Sequence, residues 1–151
     1  MPAAELSLRA AERADLDAIA ALERRCFHRP WTRSMLAEEL TRGFARVDIA
    51  ARGGGVLGYT CVWEQPPEAH LLKIAVAPEA RGGGVGGALL RRALHQARVS
   101  GCEQVQLEVA RANASALRLY QRAGFTVVGT RPGYYRDPVD DAVLMTRLVD
   151  H

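Results

Sequence analysis

The chain has 151 residues, 48% of them hydrophobic and 25% charged, the make-up of one ordinary globular domain with a real core, not of a disordered or fibrous chain. A net charge of +3 and a pI near 9.0 suit an anionic ligand, but direct nucleic-acid binding is not expected from so mild an excess. The three cysteines (Cys26, Cys61, Cys102) form no C-x-x-C pair and the four histidines (His28, His70, His95, His151) share no ligand spacing, so neither a disulfide framework nor a metal is expected, and each cysteine reads as a small core residue in a reducing cytoplasm.

Hydrophobic spacing gives the elements in chain order. Leu6–Ala10 reads as a short strand, and Glu12–Phe27 as a helix with an apolar stripe of Leu16, Ile19, Ala20, Leu22 and Cys26. Pro30 ends it, and Thr32 caps a second helix through Leu40. Phe44–Ala51 and Val56–Glu64 form a hairpin turning at Gly53-Gly54-Gly55, and Gln65–Glu68 is a loop. His70–Val76 is a strand covered on both faces. Val85–Val99 is a helix burying Leu89, Leu90, Ala93, Leu94 and Ala97, stopped by Gly101. Glu103–Val109 is a strand parallel to His70–Val76 through this crossover. Asn113 caps a helix to Ala123, ended by Gly124. Phe125–Thr130 and Ala142–Leu148 are the last strands, with Arg131–Asp141 a loop between them. The fold class is therefore α/β (mixed α+β), a mixed central sheet with helices on both faces. No leading apolar run has signal-peptide length, and the longest uncharged stretch, residues 53–63, is too short to span a bilayer.

The stretch from Leu71 to Leu90 carries the most information. It runs from strand through a glycine-rich loop, Gly82-Gly83-Gly84-Val85-Gly86-Gly87, into a helix. Glycine lets a ligand approach the main chain, and the first N–H groups of a helix lack intrahelical partners and sit at its positive end. That is a cradle for phosphate. It is not a P-loop, since no Gly-Lys-Ser/Thr follows. A dinucleotide fingerprint fits poorly because Pro78–Arg81 separate strand and glycines, although Glu103 lies about 20 residues on. Arg81-x-x-Gly84-x-Gly86 fits without strain.

Along Glu103–Val109, Val105, Leu107 and Val109 face one way and Gln104, Gln106 and Glu108 the other. Glu108 is thus either a solvated strand carboxylate or a general base. Tyr120 shares a helix face with Ala116 and Leu117, and is either a core tyrosine or a proton donor.

Ile74-Ala75-Val76, Arg81-x-x-Gly84-x-Gly86, Leu107-Glu108-Val109-x-x-x-Asn113 and Leu119-Tyr120-x-x-x-Gly124-Phe125 together resemble the GNAT N-acetyltransferases over nearly the whole chain. Pro30-Trp31-Thr32, Gly133-Tyr134-Tyr135 and Asp141–Met145 resemble the RimI-like, ribosomal-protein-alanine branch. The resemblance implies an acetyl-CoA-dependent enzyme whose substrate is the N-terminus of a small-subunit ribosomal protein, with no metal. It implies that main-chain groups of Ile74, Ala75 and Val76 pair with the pantetheine arm. Amides of Gly82, Gly83, Gly84, Val85, Gly86 and Gly87 would hold the pyrophosphate, and Asn113 would touch the cofactor. Glu108 would accept a proton and Tyr120 donate one, while Trp31, Tyr134 and Tyr135 would shape the peptide groove. Gly82 and Gly83 depart from the family, which often has a basic residue and a non-glycine there. An acetyltransferase of a small amine, a non-catalytic acyl-CoA-binding module and a pyridine-dinucleotide enzyme are the competing readings.

Overall fold

A computed structural model describes residues 5–149; Met1–Ala4, part of the segment assessed above for a leader, and His151 lie outside them. The strands are β1 (Ser7–Ala10), β2 (Ala45–Arg52), β3 (Gly55–Gln65), β4 (Glu68–Val76), β5 (Gln104–Ala110), β6 (Thr126–Arg136) and β7 (Val139–Leu148). The helices are α1 (Leu16–Cys26), α2 (Arg33–Thr41), α3 (Val85–Val99) and α4 (Ala114–Arg122). One seven-stranded sheet runs β1-β2-β3-β4-β5-β7-β6, with β4 and β5 parallel and every other neighbouring pair antiparallel.

The sheet is packed on both faces. Leu16, Ile19 and Leu22 of α1 and Leu36 of α2 meet Val47, Ile49, Tyr59 and Ala75 on one side. Leu90, Ala93 and Ala97 of α3 and Tyr120 of α4 meet Leu71, Val105, Leu107 and Val109 on the other. At Gly58 a Cβ would lie 2.8 Å from the Ala75 carbonyl and 3.0 Å from Leu89, so the missing side chain lets α3 approach β3.

Several boundaries differ from the sequence reading. The first helix opens with a 3-10 turn, Arg13–Asp15, closed by a reciprocal cap between Glu12 and Asp15. Gly53 and Gly54 have φ of 58° and 85°, the doubly left-handed turn that suits a hairpin's twist. The Gln65–Glu68 loop shrinks to Pro66-Pro67, because β3 reaches Gln65 and β4 starts at Glu68. The Arg131–Asp141 loop is a correction: β6 runs to Arg136 and β7 starts at Val139, a hairpin turning at Asp137-Pro138. Pro132 and Gly133 read as loop residues, yet they sit in an irregularity between Arg131 and Tyr135, with Gly133 at a φ of 64°, beyond which pairing with β7 resumes. Leu94 is only partly buried, and Cys26 is half-buried while Cys61 and Cys102 are buried.

Candidate active site

β4 and β5 start as neighbours and then part. Their paired residues are Glu68 with Gln104, Ala69 with Val105 and His70 with Gln106, and pairing stops there. The cause lies one strand over. On β3, Cys61 pairs with Lys73 and Val62 with Leu71, so Leu72 is an extra residue in β4. Such a bulge bends its strand, and the later half of β4 leaves β5. Ala77 N–H bonds to the Leu57 carbonyl at 2.7 Å. By antiparallel alternation the main-chain groups of Ala75 also face β3, and those of Ile74 and Val76 face the opening. The Val76 carbonyl there is met by the Arg81 guanidinium at 3.1 Å and the Cys26 thiol at 3.4 Å. Ala75 therefore belongs to the sheet ladder, and only its two neighbours present main chain to the gap.

Beyond β4, Pro78–Ala80 makes a 3-10 turn and the glycine loop follows. Gly82 and Gly84 hold φ of 82° and 87°, conformations that glycine adopts freely. A Cβ on either meets nothing within 4 Å, so the space outside the loop is open. Gly84 caps α3, and its carbonyl receives the Ala88 N–H at 3.0 Å. The N–H groups of Val85, Gly86 and Gly87 precede the first such bond and lack intrahelical acceptors. Gly86 has a packing reason: a Cβ would lie 3.1 Å from Leu119 of α4 and 3.7 Å from Val76. Gly83 and Gly87 are less constrained, with a Cβ at 3.4 Å from the Ala80 carbonyl and the Arg91 guanidinium respectively.

Glu108 and Tyr120 lie on opposite faces of the sheet. On β5, Val105, Leu107 and Val109 are buried against α3 and α4, while Gln104, Gln106 and Glu108 are half-buried on the α1–α2 face. Glu108 lies two residues past the last β4–β5 pair. Its Oε2 is 2.6 Å from Nε2 of His70, which ends that pairing on β4. Tyr120 is buried in α4, edge-on to Phe125 with ring centroids 5.9 Å apart. Burial, helped by Tyr135, pushes its phenol above the ordinary tyrosine range. The Tyr135 phenol is pushed up to about 12, mainly by burial and then by the Glu108 charge. Tyr120, Tyr135 and Glu108 thus share one electrostatic neighbourhood.

The remaining residues frame this centre. The Asn113 carboxamide oxygen accepts the Ala116 N–H at 3.2 Å, which caps α4. Tyr134 is 44% exposed and stacks edge-on against Tyr135 at 5.0 Å, with Arg131 over its outer face. Trp31 sits between α1 and α2, its ring 4.9 Å from the Lys73 ammonium, which is also 3.8 Å from the Phe27 ring. Glu23, fully buried, holds this corner: it accepts from Trp31 N–H at 2.6 Å, pairs with Lys73 at 3.2 Å and receives the Tyr59 hydroxyl. Arg29 of the α1–α2 connection meets Asp137 of the β6–β7 turn at 3.2 Å, so the two walls touch.

Sequence reasoning missed His70, Glu23, Lys73 and Asp140. Asp140 accepts the Ala112 N–H at 2.9 Å and ties the last hairpin to the start of α4. None belongs to a local motif; each acts across strands. For His70 no local signal existed: it lies near the start of β4 and Glu108 near the end of β5.

This architecture, a mixed sheet parted between β4 and β5 with a glycine loop beside the gap, defines an N-acetyltransferase class. The acetyltransferase (GNAT) family model matches residues 16–125, and the chain belongs to that family: it is a GNAT N-acetyltransferase. A Bacillus subtilis protein provisionally named ribosomal protein bS18-alanine N-acetyltransferase is 31% identical over 132 residues, 87% of each chain. The ribosomal protein bS18-alanine N-acetyltransferase of Escherichia coli is 29% identical over 136 residues, 89% of this chain and 91% of that one. The crystal structure of the Escherichia coli ribosomal-protein-S18-alanine N-acetyltransferase matches with a TM-score of 0.89 at 27% identity, covering 97% of this chain and 96% of that one. Among the described residues no group of His, Cys, Asp and Glu is placed to hold a metal, and no helix is long and apolar enough to cross a membrane.

Proposed function

We propose that this enzyme uses acetyl-CoA to acetylate the N-terminal alanine of a small-subunit ribosomal protein, with residues 1–151 working as one domain. The observation that carries the chemistry is the gap between β4 and β5, with Glu108 on one face and Tyr120 on the other. The substrate reading is supported by the likeness to relatives bearing that name.

The residues present fit the cofactor. Ile74 and the Val76 N–H turn main-chain groups toward the gap that would extend the sheet onto a pantetheine arm. Gly82–Gly87 offer open space and helix-start amides for a pyrophosphate. The Asn113 amide nitrogen, left over from capping, would contact it from α4. When bound, acetyl-CoA supplies an acetyl group already activated as a thioester.

Glu108 then takes a proton from the amine as its nitrogen bonds to the acetyl carbon. Tyr120 gives a proton to the sulfur as the carbon–sulfur bond breaks; its buried phenol stays protonated for that task. An N-terminal amine, with a pKa of about 7.7–8.0, is partly neutral at pH 7, whereas a lysine amine near 10.4 is almost wholly charged. One carboxylate is therefore base enough for an N-terminus. Trp31, Tyr134 and Tyr135 would line the walls that receive the peptide. Free cysteines at Cys26, Cys61 and Cys102 suit a reducing cytoplasm.

The test is mass spectrometry of a peptide panel, varied at the first residue, after incubation with enzyme and acetyl-CoA. Ala-initiated small-subunit peptides are expected to gain an acetyl group and free polyamines to remain unchanged. Glu108→Gln and Tyr120→Phe should each lower kcat by about a hundredfold or more with acetyl-CoA binding retained. Wild-type turnover in both would refute the assigned roles.

A further inference from the structure

We infer that His70 is a positioning residue for Glu108, holding the carboxylate through a donated hydrogen bond so that its other oxygen receives the amine proton. This inference rests on Glu108 being the proton acceptor. Glu108 stands on β5 beyond the last β4–β5 pair; β7 still holds its backbone opposite Leu144, but on the β4 side no strand lies beside it. A glutamate side chain has several rotatable bonds, and an unheld carboxylate at the edge of a gap would sample many orientations. The only side chain hydrogen-bonded to it among the described residues is His70, with Nε2 and Oε2 2.6 Å apart. An ionised carboxylate has acceptors alone, so Nε2 carries the hydrogen. The separation is that of a short bond to a charged group, the stronger kind.

The topology makes this contact. His70 is the final β4 residue paired with β5, and Leu72, the inserted residue, comes two positions later. His70 is therefore fixed by the joined half of the sheet while it reaches toward the parted half. Its ring borders a hollow of about 170 Å³ shared with Trp63, Gln65, Glu68 and Gln106. The ring's other nitrogen makes no hydrogen bond among the described residues, so the imidazole is free of competing duties.

In the reaction, the amine nitrogen bonds to the acetyl carbon and its proton passes to Oε1 of Glu108. The carbon–sulfur bond breaks and the sulfur takes the Tyr120 proton. His70 keeps its Nε2 hydrogen throughout; it acts by fixing Oε2.

Two variants separate reach from bulk. Gln places an amide N–H near the position of Nε2, and Asn only near that of Nδ1, out of reach of Glu108. Both are polar, as a half-exposed site permits. His70→Asn should lower kcat about tenfold to a hundredfold, leaving acetyl-CoA affinity and one-to-one binding stoichiometry unchanged, while His70→Gln recovers most of the loss. In the Glu108→Gln background, His70→Asn should change kcat less than threefold, because the group it positions is gone. Wild-type kcat in His70→Asn, or equal losses in the Asn and Gln variants, would overturn the inference. So would a full multiplicative loss in the double variant. Wild-type turnover in Glu108→Gln alone would instead sink the assignment of the base, and this inference with it.

Discussion

Gly58 links packing to the proposed cofactor site. It lies in β3 under α3, and a Cβ there would sit 2.8 Å from the Ala75 carbonyl oxygen, 3.0 Å from Leu89 Cδ1 and 3.3 Å from Val85 Cγ1. The first of these is main chain and cannot swing aside. Gly58→Ala must therefore push β3 from β4 or lift the start of α3, and overpacking of this kind costs about 1–3 kcal/mol. Replacing any glycine by alanine also removes unfolded-chain freedom, worth about 0.4–1 kcal/mol in the opposite direction. Gly43 supplies the control: it has no positive φ, and a Cβ there meets nothing within 4 Å. The difference between the two alanine variants cancels the chain-entropy contribution and leaves the clash. For a domain of this size that difference corresponds to a gap in Tm of about 2 to 12 °C, Gly58→Ala melting lower. Calorimetry of both variants reads it directly. Val85 opens the helix whose first amides face the loop, so isothermal titration should show weaker acetyl-CoA binding in Gly58→Ala and none of that loss in Gly43→Ala. Equal melting temperatures would refute the claim that α3 rests on a bare backbone.

Three further outcomes follow from the ionisable groups. The Arg9 guanidinium, bound bidentately at 2.8 and 2.9 Å, holds the Asp15 carboxyl below its usual range, and Asp15 also accepts the Glu12 N–H at 2.7 Å. A depressed carboxyl contributes stability above its unfolded pKa of about 3.9 and loses it as pH falls through the lower folded value. Asp15→Asn should thus cost about 1–2 kcal/mol at pH 7, with the gap to wild type closing below pH 4 in denaturant titrations; a gap independent of pH would refute it. Tyr120 donates only while protonated, and burial raises its pKa, so the kcat ratio of wild type to Tyr120→Phe should stay flat from pH 7 to 10; a fall below pH 9 would remove it as the donor. Lys73→Met strips the cation from the fully buried Glu23 and should cost about 3–5 kcal/mol in urea unfolding, much of it regained in the double variant with Glu23→Gln; a loss under 1 kcal/mol would show that Glu23 does not need the pair.

How far the sequence could be read depended on the range of the interaction. Elements whose cues are local were legible: the α3 stripe, the cap at Asn113, the Gly53-Gly54 turn and the alternation of β5 that puts Glu108 opposite Val109. The last hairpin was not, because Pro132 and Gly133 punctuate a segment that β7 nonetheless pairs on either side of them, at Arg131 and at Tyr135. The same holds inside the site. The glycine loop announces itself through composition, yet the reasons for its glycines differ: Gly84 for its φ of 87°, Gly86 for the approach of Leu119. Lys73 and Glu23 are 50 positions apart, and no periodicity joins them. His70 read as a strand residue because nothing local shows that its neighbour across the sheet is a carboxylate.

The single inserted residue at Leu72 accounts for much of this. Before it, Ala69 and Leu71 face α3 while His70 faces the α1–α2 side; after it, Lys73 and Ala75 face α1–α2 and Ile74 and Val76 turn to the α3 side. One extra residue therefore performs three tasks at once. It parts β4 from β5 and frees the main chain of Ile74 and Val76. It keeps His70 in the joined half, within reach of Glu108. It also sets Lys73 on the same face as His70, where its ammonium meets Glu23 and the rings of Phe27 and Trp31. Were β4 to run through Leu72 without the bulge, simple alternation would carry Lys73 toward the apolar α3 side. In the proposed mechanism, the reach of His70 to Glu108 and the placing of Lys73 under Trp31 thus share one register shift, which explains how residues scattered along the chain come together.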